Sequence, residues 1–254
     1  MASRVTSVRS ACIVVAALGT GFLLAGCSSV GDAFADEEWK TAKADATVTE
    51  AVREAKVSTP AGSIEITPGP GPGVSVRRTV HYRQDTAPKP GQKVSDGVLT
   101  FTDGCSEDCY IDYRLEVPAA AKVKLDSTSG DITVRGVAEA EVSVVSGNVA
   151  ADRIGGPLTV HTTSGEVTAT ALSGPSAEVH SISGDTSLDF AKPPSSVLAE
   201  STSGDVTLRV PRAPYRLEVS TVSGQREVSL ADSSSAASSL SVNTVSGDVR
   251  ISTT

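Results

Sequence analysis

The chain has 254 residues, a formal charge of −8 and an aromatic content of only 4%. With one Trp and one Met, its core must be built from Val, Ile, Leu and Ala, and the 22 glycines amid many Ser and Thr predict turns rather than long helices. An acidic chain of this kind excludes nucleic acid as a partner, because neutralising phosphates takes clustered Lys and Arg.

Arg4 and Arg9 form a basic start, followed at residues 11–25 by an apolar run too short to prefer spanning a bilayer. The run ends in Leu24-Ala25-Gly26-Cys27, which resembles the bacterial lipobox. That resemblance implies a signal peptide over residues 1–26, cleavage before Cys27 and transfer of a diacylglyceryl group to its thiol. Two acyl chains or more, a palmitate among them, give stable anchoring where one does not. The alternatives are an ordinary secretory signal with a chance Cys, or a retained transmembrane helix. Loss of Arg4 and Arg9 takes the mature charge to −10. Cys12 leaves with the signal, so Cys105 and Cys109 remain, in Cys105-Ser-Glu-Asp-Cys109. Outside the membrane such a pair is most simply a disulfide pinching a turn. Free thiols are the other reading, and two ligands alone make a poor metal site.

Residues 27–46 are small, polar and acidic apart from Phe34 and Trp39, and read as a lipidated tether lifting a domain that covers 47–254. Residues 50–56 suit a short helix or, given their β-branched neighbours, a strand. Pro68-Gly-Pro-Gly-Pro-Gly73 and residues 84–96 are loops, whereas 74–82 and 111–117 alternate apolar and polar residues as strands do.

From Lys122 onward Ser-Gly recurs, with its glycine at Gly130, Gly147, Gly165, Gly184, Gly204, Gly224 and Gly247, so the spacing is 17 to 23 residues. A period near 20 residues marks a solenoid or array. Seven and five residues before each glycine, and two and four after it, stand aliphatic residues such as Leu158, Val160, Val167 and Ala169. This alternation puts them on one face of two short strands flanking a turn. Three before the glycine the inward residue is usually Ser or Thr, which can bond along a ladder or back to the turn. The glycine suits a backbone with positive φ, and an acid or amide follows it. Arg226 alone breaks the apolar pattern outright, and Gln225-Arg226 reads as a two-residue insertion that shifts Val228 and Leu230.

The Ser-Gly corners are uniform whereas the intervening corners vary freely. That asymmetry favours parallel coils over an antiparallel meander of hairpins. The expected fold is therefore all-β, a parallel β-helix or β-solenoid with coils of about 20 residues. Residues 122–252 would be regular coils and 67–121 an excursion forming a strand-rich N-terminal cap. Gly62, with Val57, Ile64 and Ile66 at the same offsets, marks a further degenerate coil. Stacking in chain order would leave a bare edge at Thr254.

Thr128-Ser-Gly-Asp-Ile-Thr-Val134 and Thr202-Ser-Gly-Asp-Val-Thr-Leu208, with Thr59-Pro-Ala-Gly-Ser-Ile-Glu-Ile66 and Val117-Pro118, resemble the bacterial putative-adhesin family of uncharacterised domains over residues 47–252. The resemblance implies a β-solenoid of the cell envelope and brings no catalytic residues. Gln225-Arg226-Glu227 departs from it.

Four residues before the glycine stand Asp126, Ser143, His161, His180, Glu200, Ser220 and Asn243. Here His161, His180 and Glu200 would be neighbours, suiting a weak zinc site, an acid–base cluster or, more simply, a solvated polar stripe. Asp131, Asp185, Asp205 and Asp248 invite calcium, but Asn148, Glu166 and Gln225 interrupt the set, so turn-supporting acids are the better reading. No Gly-x-Ser-x-Gly elbow and no phosphate loop is present. Two residues before the glycine come Thr128, Val145, Thr163, Ile182, Thr202, Val222 and Val245, either a strand-end preference or a surface for pairing. The expectation is a non-enzymatic interaction, adhesion or scaffold module, without cofactor, metal or catalytic residue. It would be lipid-anchored through Cys27 at the outer face of a bacterial cell membrane and meet an envelope protein or glycan, with His161, His180, Thr163 and Ile182 as candidates for a surface binding stripe. The alternative is a carbohydrate-active β-helix, a polysaccharide hydrolase or lyase.

Overall fold

In the computed structural model, the residues described are 38–254 other than 103, 106 and 107. The expected export signal and Cys27 lie outside them.

The domain is all-β. Each Ser-Gly turn is a corner between two strands, and each coil is named here by its corner glycine. In the Gly165 coil, Leu158–Ser164 runs into the corner and Val167–Leu172 out of it. The first strand pairs parallel with Glu139–Ser146 and Ser176–Ser183, in a register that places Val160 beside Val142 and Val179. The second pairs parallel with Val149–Asp152 and Thr186–Phe190. Two sheets thus face each other across a narrow aliphatic interior, in which Leu125, Val142, Val160, Val179 and Leu208 are fully buried. Like residues lie over like about 4.8 Å apart.

The corner is made by its backbone. Corner glycines have φ between +103° and +155°, a region costly for residues with a Cβ. They also stack so closely that a Cβ on Gly165 would overlap the carbonyl oxygen of Gly147. The acid or amide that follows works between coils. Asp131 Oδ1 accepts the Asn148 N–H at 2.9 Å, Asn148 Oδ1 accepts that of Glu166 at 2.9 Å, and Asp185 Oδ1 accepts that of Asp205 at 2.9 Å. Glu166, one methylene longer, instead accepts the Thr168 hydroxyl. These side chains satisfy backbone donors that a corner leaves without a ladder partner.

The order of stacking departs from the order of the chain at both ends. The Gly247 coil (Ser239–Ser246 and Val249–Thr253) does not sit last. It lies between the Gly204 coil and the Gly224 coil, with Val242 beside both Ala199 and Val219 and Val249 beside both Val206 and Arg226. The corner ladder follows the same path, from Asp205 to Asp248 to Gln225. At the other end, the Gly62 coil (Glu54–Ala61 and Ile64–Gly69) stacks on the Gly130 coil. Outside it lies a further coil formed later in the chain by Val98–Thr102 and Cys109–Pro118. Val74–Tyr82 and Gly91–Ser95 then add antiparallel strands at this end.

Three expectations are corrected. The edge coil is that of Gly224, not the one ending at Thr254, because an intercalated last winding gains ladder partners on both sides. Gln225-Arg226 is no insertion: Arg226 stands opposite Val249 and Val228 opposite Ile251, without a shift. Arg226 is tolerated at an aliphatic position because its coil is outermost; its guanidinium is exposed and donates to the Val219 carbonyl at 3.1 Å. The segment expected as tether up to residue 46 is already strand at Lys40–Lys43 and from Ala46, pairing antiparallel with Val74–Tyr82.

Candidate functional site

Along the strand that enters each corner, the residues seven, five and three before the glycine point inward and those four and two before it point outward. The parallel pairing skips the residue two before the glycine, and the two outward rows line a shared concavity. The result is a groove of about 690 Å³ crossing six coils, those of Gly62, Gly130, Gly147, Gly165, Gly184 and Gly204. One wall is Ser58, Asp126, Ser143, His161, His180 and Glu200; the other includes Thr128, Val145, Thr163, Ile182 and Thr202. All four candidate surface residues therefore share one site. Ser58 was missed in the sequence, although its offset from Gly62 marks it.

Within the groove the His161 and His180 rings stack, with centroids 5.1 Å apart and planes within 6°. His180 Nε2 lies 2.8 Å from Glu178 Oε1 and Nδ1 lies 3.0 Å from Glu200 Oε2. The imidazole thus occupies the space between the two carboxylates. Among the described residues, no three His, Cys, Asp or Glu side chains are arranged to hold a metal ion. Beneath the groove Thr162, Ser181 and Ser201 turn inward, and their buried hydroxyls have no hydrogen-bond partner within the chain. Their counterparts Thr59, Ser127 and Thr244 donate to corner carbonyls.

A Ser, an Asp and a His also meet near the cap, but in the wrong order for nucleophilic catalysis. Ser63 Oγ donates to Asp112 Oδ1 at 2.8 Å, and His81 Nε2 lies 2.9 Å from Asp112 Oδ2. The carboxylate sits in the middle, whereas a triad needs the imidazole there to take the hydroxyl proton. Burial pushes the Asp112 carboxyl up, yet the hydrogen bonds from Ser63 and His81 outweigh it and hold the group below the ordinary carboxylate range. Tyr110 stacks on His81 at 4.3 Å and meets Trp39 edge-on, and Arg83 lies 4.6 Å over the Trp39 ring. This aromatic group was not foreseen: Trp39 lay in the expected tether and its partners are distant in sequence. Cys105 and Cys109 form a disulfide between the strands of the outer coil.

A family model described as Toastrack DUF4097 matches residues 92–253. No curated protein shows significant sequence similarity to the chain. Among solved structures, a putative adhesin from Bacteroides fragilis is similar with a TM-score of 0.52 and 16% identity, covering 85% of this chain and 97% of that one. A putative cell adhesion protein from Clostridium sporogenes aligns with a TM-score of 0.39 and 13% identity, over 85% of this chain and 100% of the other.

Proposed function

The chain belongs to the Toastrack DUF4097 family, and from that premise we propose that it is a non-enzymatic interaction and adhesion module of the bacterial envelope, anchored by lipid on Cys27 at the outer face of the membrane. The observation that carries the reading is the groove. A parallel ladder presents a polar wall over six coils and a β-branched wall over five of them, a surface built for an extended partner rather than for a reaction. The name putative adhesin borne by the similar Bacteroides fragilis structure is in keeping with this view.

The carbohydrate-active alternative has one observation in its favour, two carboxylates flanking a histidine. A glycosidase needs the space between its carboxyls for the scissile bond, and here the His180 ring fills it.

Two expected outcomes test the proposal. Thr163→Lys with Ile182→Lys places two bulky cations on the groove wall. Cross-linking on intact cells followed by mass spectrometry should then lose the partner captured by the wild-type chain, at equal chain abundance; unchanged capture removes the groove from the account. Separately, Cys27→Ser should shift the chain from the membrane fraction and abolish its labelling by radioactive palmitate. A labelled, membrane-bound serine variant would rule out anchoring at this position.

A further inference from the structure

We infer that the groove binds an extended, equatorially linked glycan bearing acetamido groups, one sugar ring per coil; this rests on the proposed reading of the groove as the partner surface. The argument is a match of periods. Taken in stacking order along the groove, the β-branched wall reads Thr128, Val145, Thr163, Ile182 and Thr202. Hydroxyl and aliphatic side chains alternate coil by coil, and the aliphatic ones are about half exposed: Val145 47% and Ile182 54%. Like side chains on this wall therefore recur every second coil, about 10 Å apart.

Few linear polymers share both periods. An extended polypeptide advances about 3.3 Å per residue and a polyproline helix about 3.1 Å, so neither keeps step with coils about 4.8 Å apart. A pyranose joined through equatorial bonds advances by very nearly one coil. In the extended two-fold form each ring is turned over relative to the last, so a given substituent returns to the same side at every second ring. Acetamido methyls on one side of such a chain would meet Val145 and Ile182, while the intervening rings would present hydroxyl-bearing edges to Thr128, Thr163 and Thr202.

The opposite wall suits the same ligand. Asp126, Ser143, His161 and Glu200 supply donors and acceptors for sugar hydroxyls, one residue per coil. Its carboxylates would repel a polyphosphate or a polyanionic glycan.

The test is isothermal titration of the full chain in detergent with chitohexaose, chitobiose and cellohexaose. Chitohexaose should bind at least tenfold more tightly than chitobiose, because it spans more coils, and than cellohexaose, which lacks the methyls. Val145→Thr with Ile182→Thr erases the alternation with little change in bulk. It should weaken chitohexaose at least tenfold while leaving the melting temperature unchanged. Absence of binding by chitohexaose, or equal affinity for the double variant, overturns the inference. If chitohexaose fails while the lysine pair still abolishes capture on cells, the groove serves another partner and only the glycan assignment falls. Failure of both removes the proposed function as well.

Discussion

Gly165→Ala is expected to destabilise the chain by roughly 3–5 kcal/mol, enough to abolish folding if the protein is marginal. At a compatible position the same change stabilises by about 0.4–1 kcal/mol. Two effects reverse the sign here. The backbone at Gly165 has φ +134°, a region that costs an L-residue about 1–3 kcal/mol. The new Cβ would also overlap the carbonyl of Gly147, and that carbonyl cannot retreat, because its coil is held on both sides. Relief would need the corners to separate, weakening the bonds from Gly147 N–H to Ser164 and from Gly165 N–H to Ser183, each 3.1 Å long. Gly71→Ala is the control. Its φ is +97°, but nothing lies within 4 Å of the new methyl, so strain alone applies. Urea denaturation of the two variants measures the difference. A Gly165→Ala midpoint matching that of Gly71→Ala would show that the stacked corners are not close-packed.

The second large effect concerns Val242 and Val219, which hold the same offset in the last two coils of the chain. Val242→Asp should cost upward of about 4 kcal/mol, because an unpaired carboxylate would be buried. Val219→Asp should cost about 1 kcal/mol. Stacking in chain order predicts the reverse ranking, since Val242 would then sit at the bare edge. In the structure Val242 is fully buried between Ala199 and Val219, whereas Val219 is only half-buried on the outermost coil. Thermal or urea melts of the two variants settle the ranking, and a more damaging Val219→Asp would refute the intercalated order. The topology carries a physical advantage. A terminal winding frays when its only ladder lies on one side. Placed inside the stack, the Gly247 coil has a ladder on each side, and the coil left outermost is closed by Arg226 and by the Leu217 N–H bond to Asp232.

What could be read without coordinates was local. Alternation around Gly165, with Leu158, Val160, Val167 and Ala169 at fixed offsets, is enough to place those side chains inside. Uniform Ser-Gly corners against variable opposite corners are enough to choose coils over hairpins. The pairing of Cys105 with Cys109 was legible in their close separation. Both outward rows were also legible as rows, His161 and His180 in one and Thr163 and Ile182 in the other. Their merger into a single groove was not, because it depends on how the stacked coils place the two rows side by side. The contacts of His180 with Glu178 and Glu200, and of His81 with Asp112, likewise needed the coils to be stacked or the cap strands paired.

The amino-acid sequence by itself determined the shape of one winding: its corner, its inner face and its outer face. Each of these is decided by side-chain alternation and a glycine within a dozen residues. Only the tertiary structure decided which winding lies on which. Every coil carries the same offsets, so the Gly247 coil pairs in equal register with the Gly204 coil on one side and the Gly224 coil on the other. Local sequence cannot discriminate among such neighbours. The choice falls to whichever coil loses least at an open end, and Arg226, where its neighbours bury an aliphatic side chain, makes that the Gly224 coil.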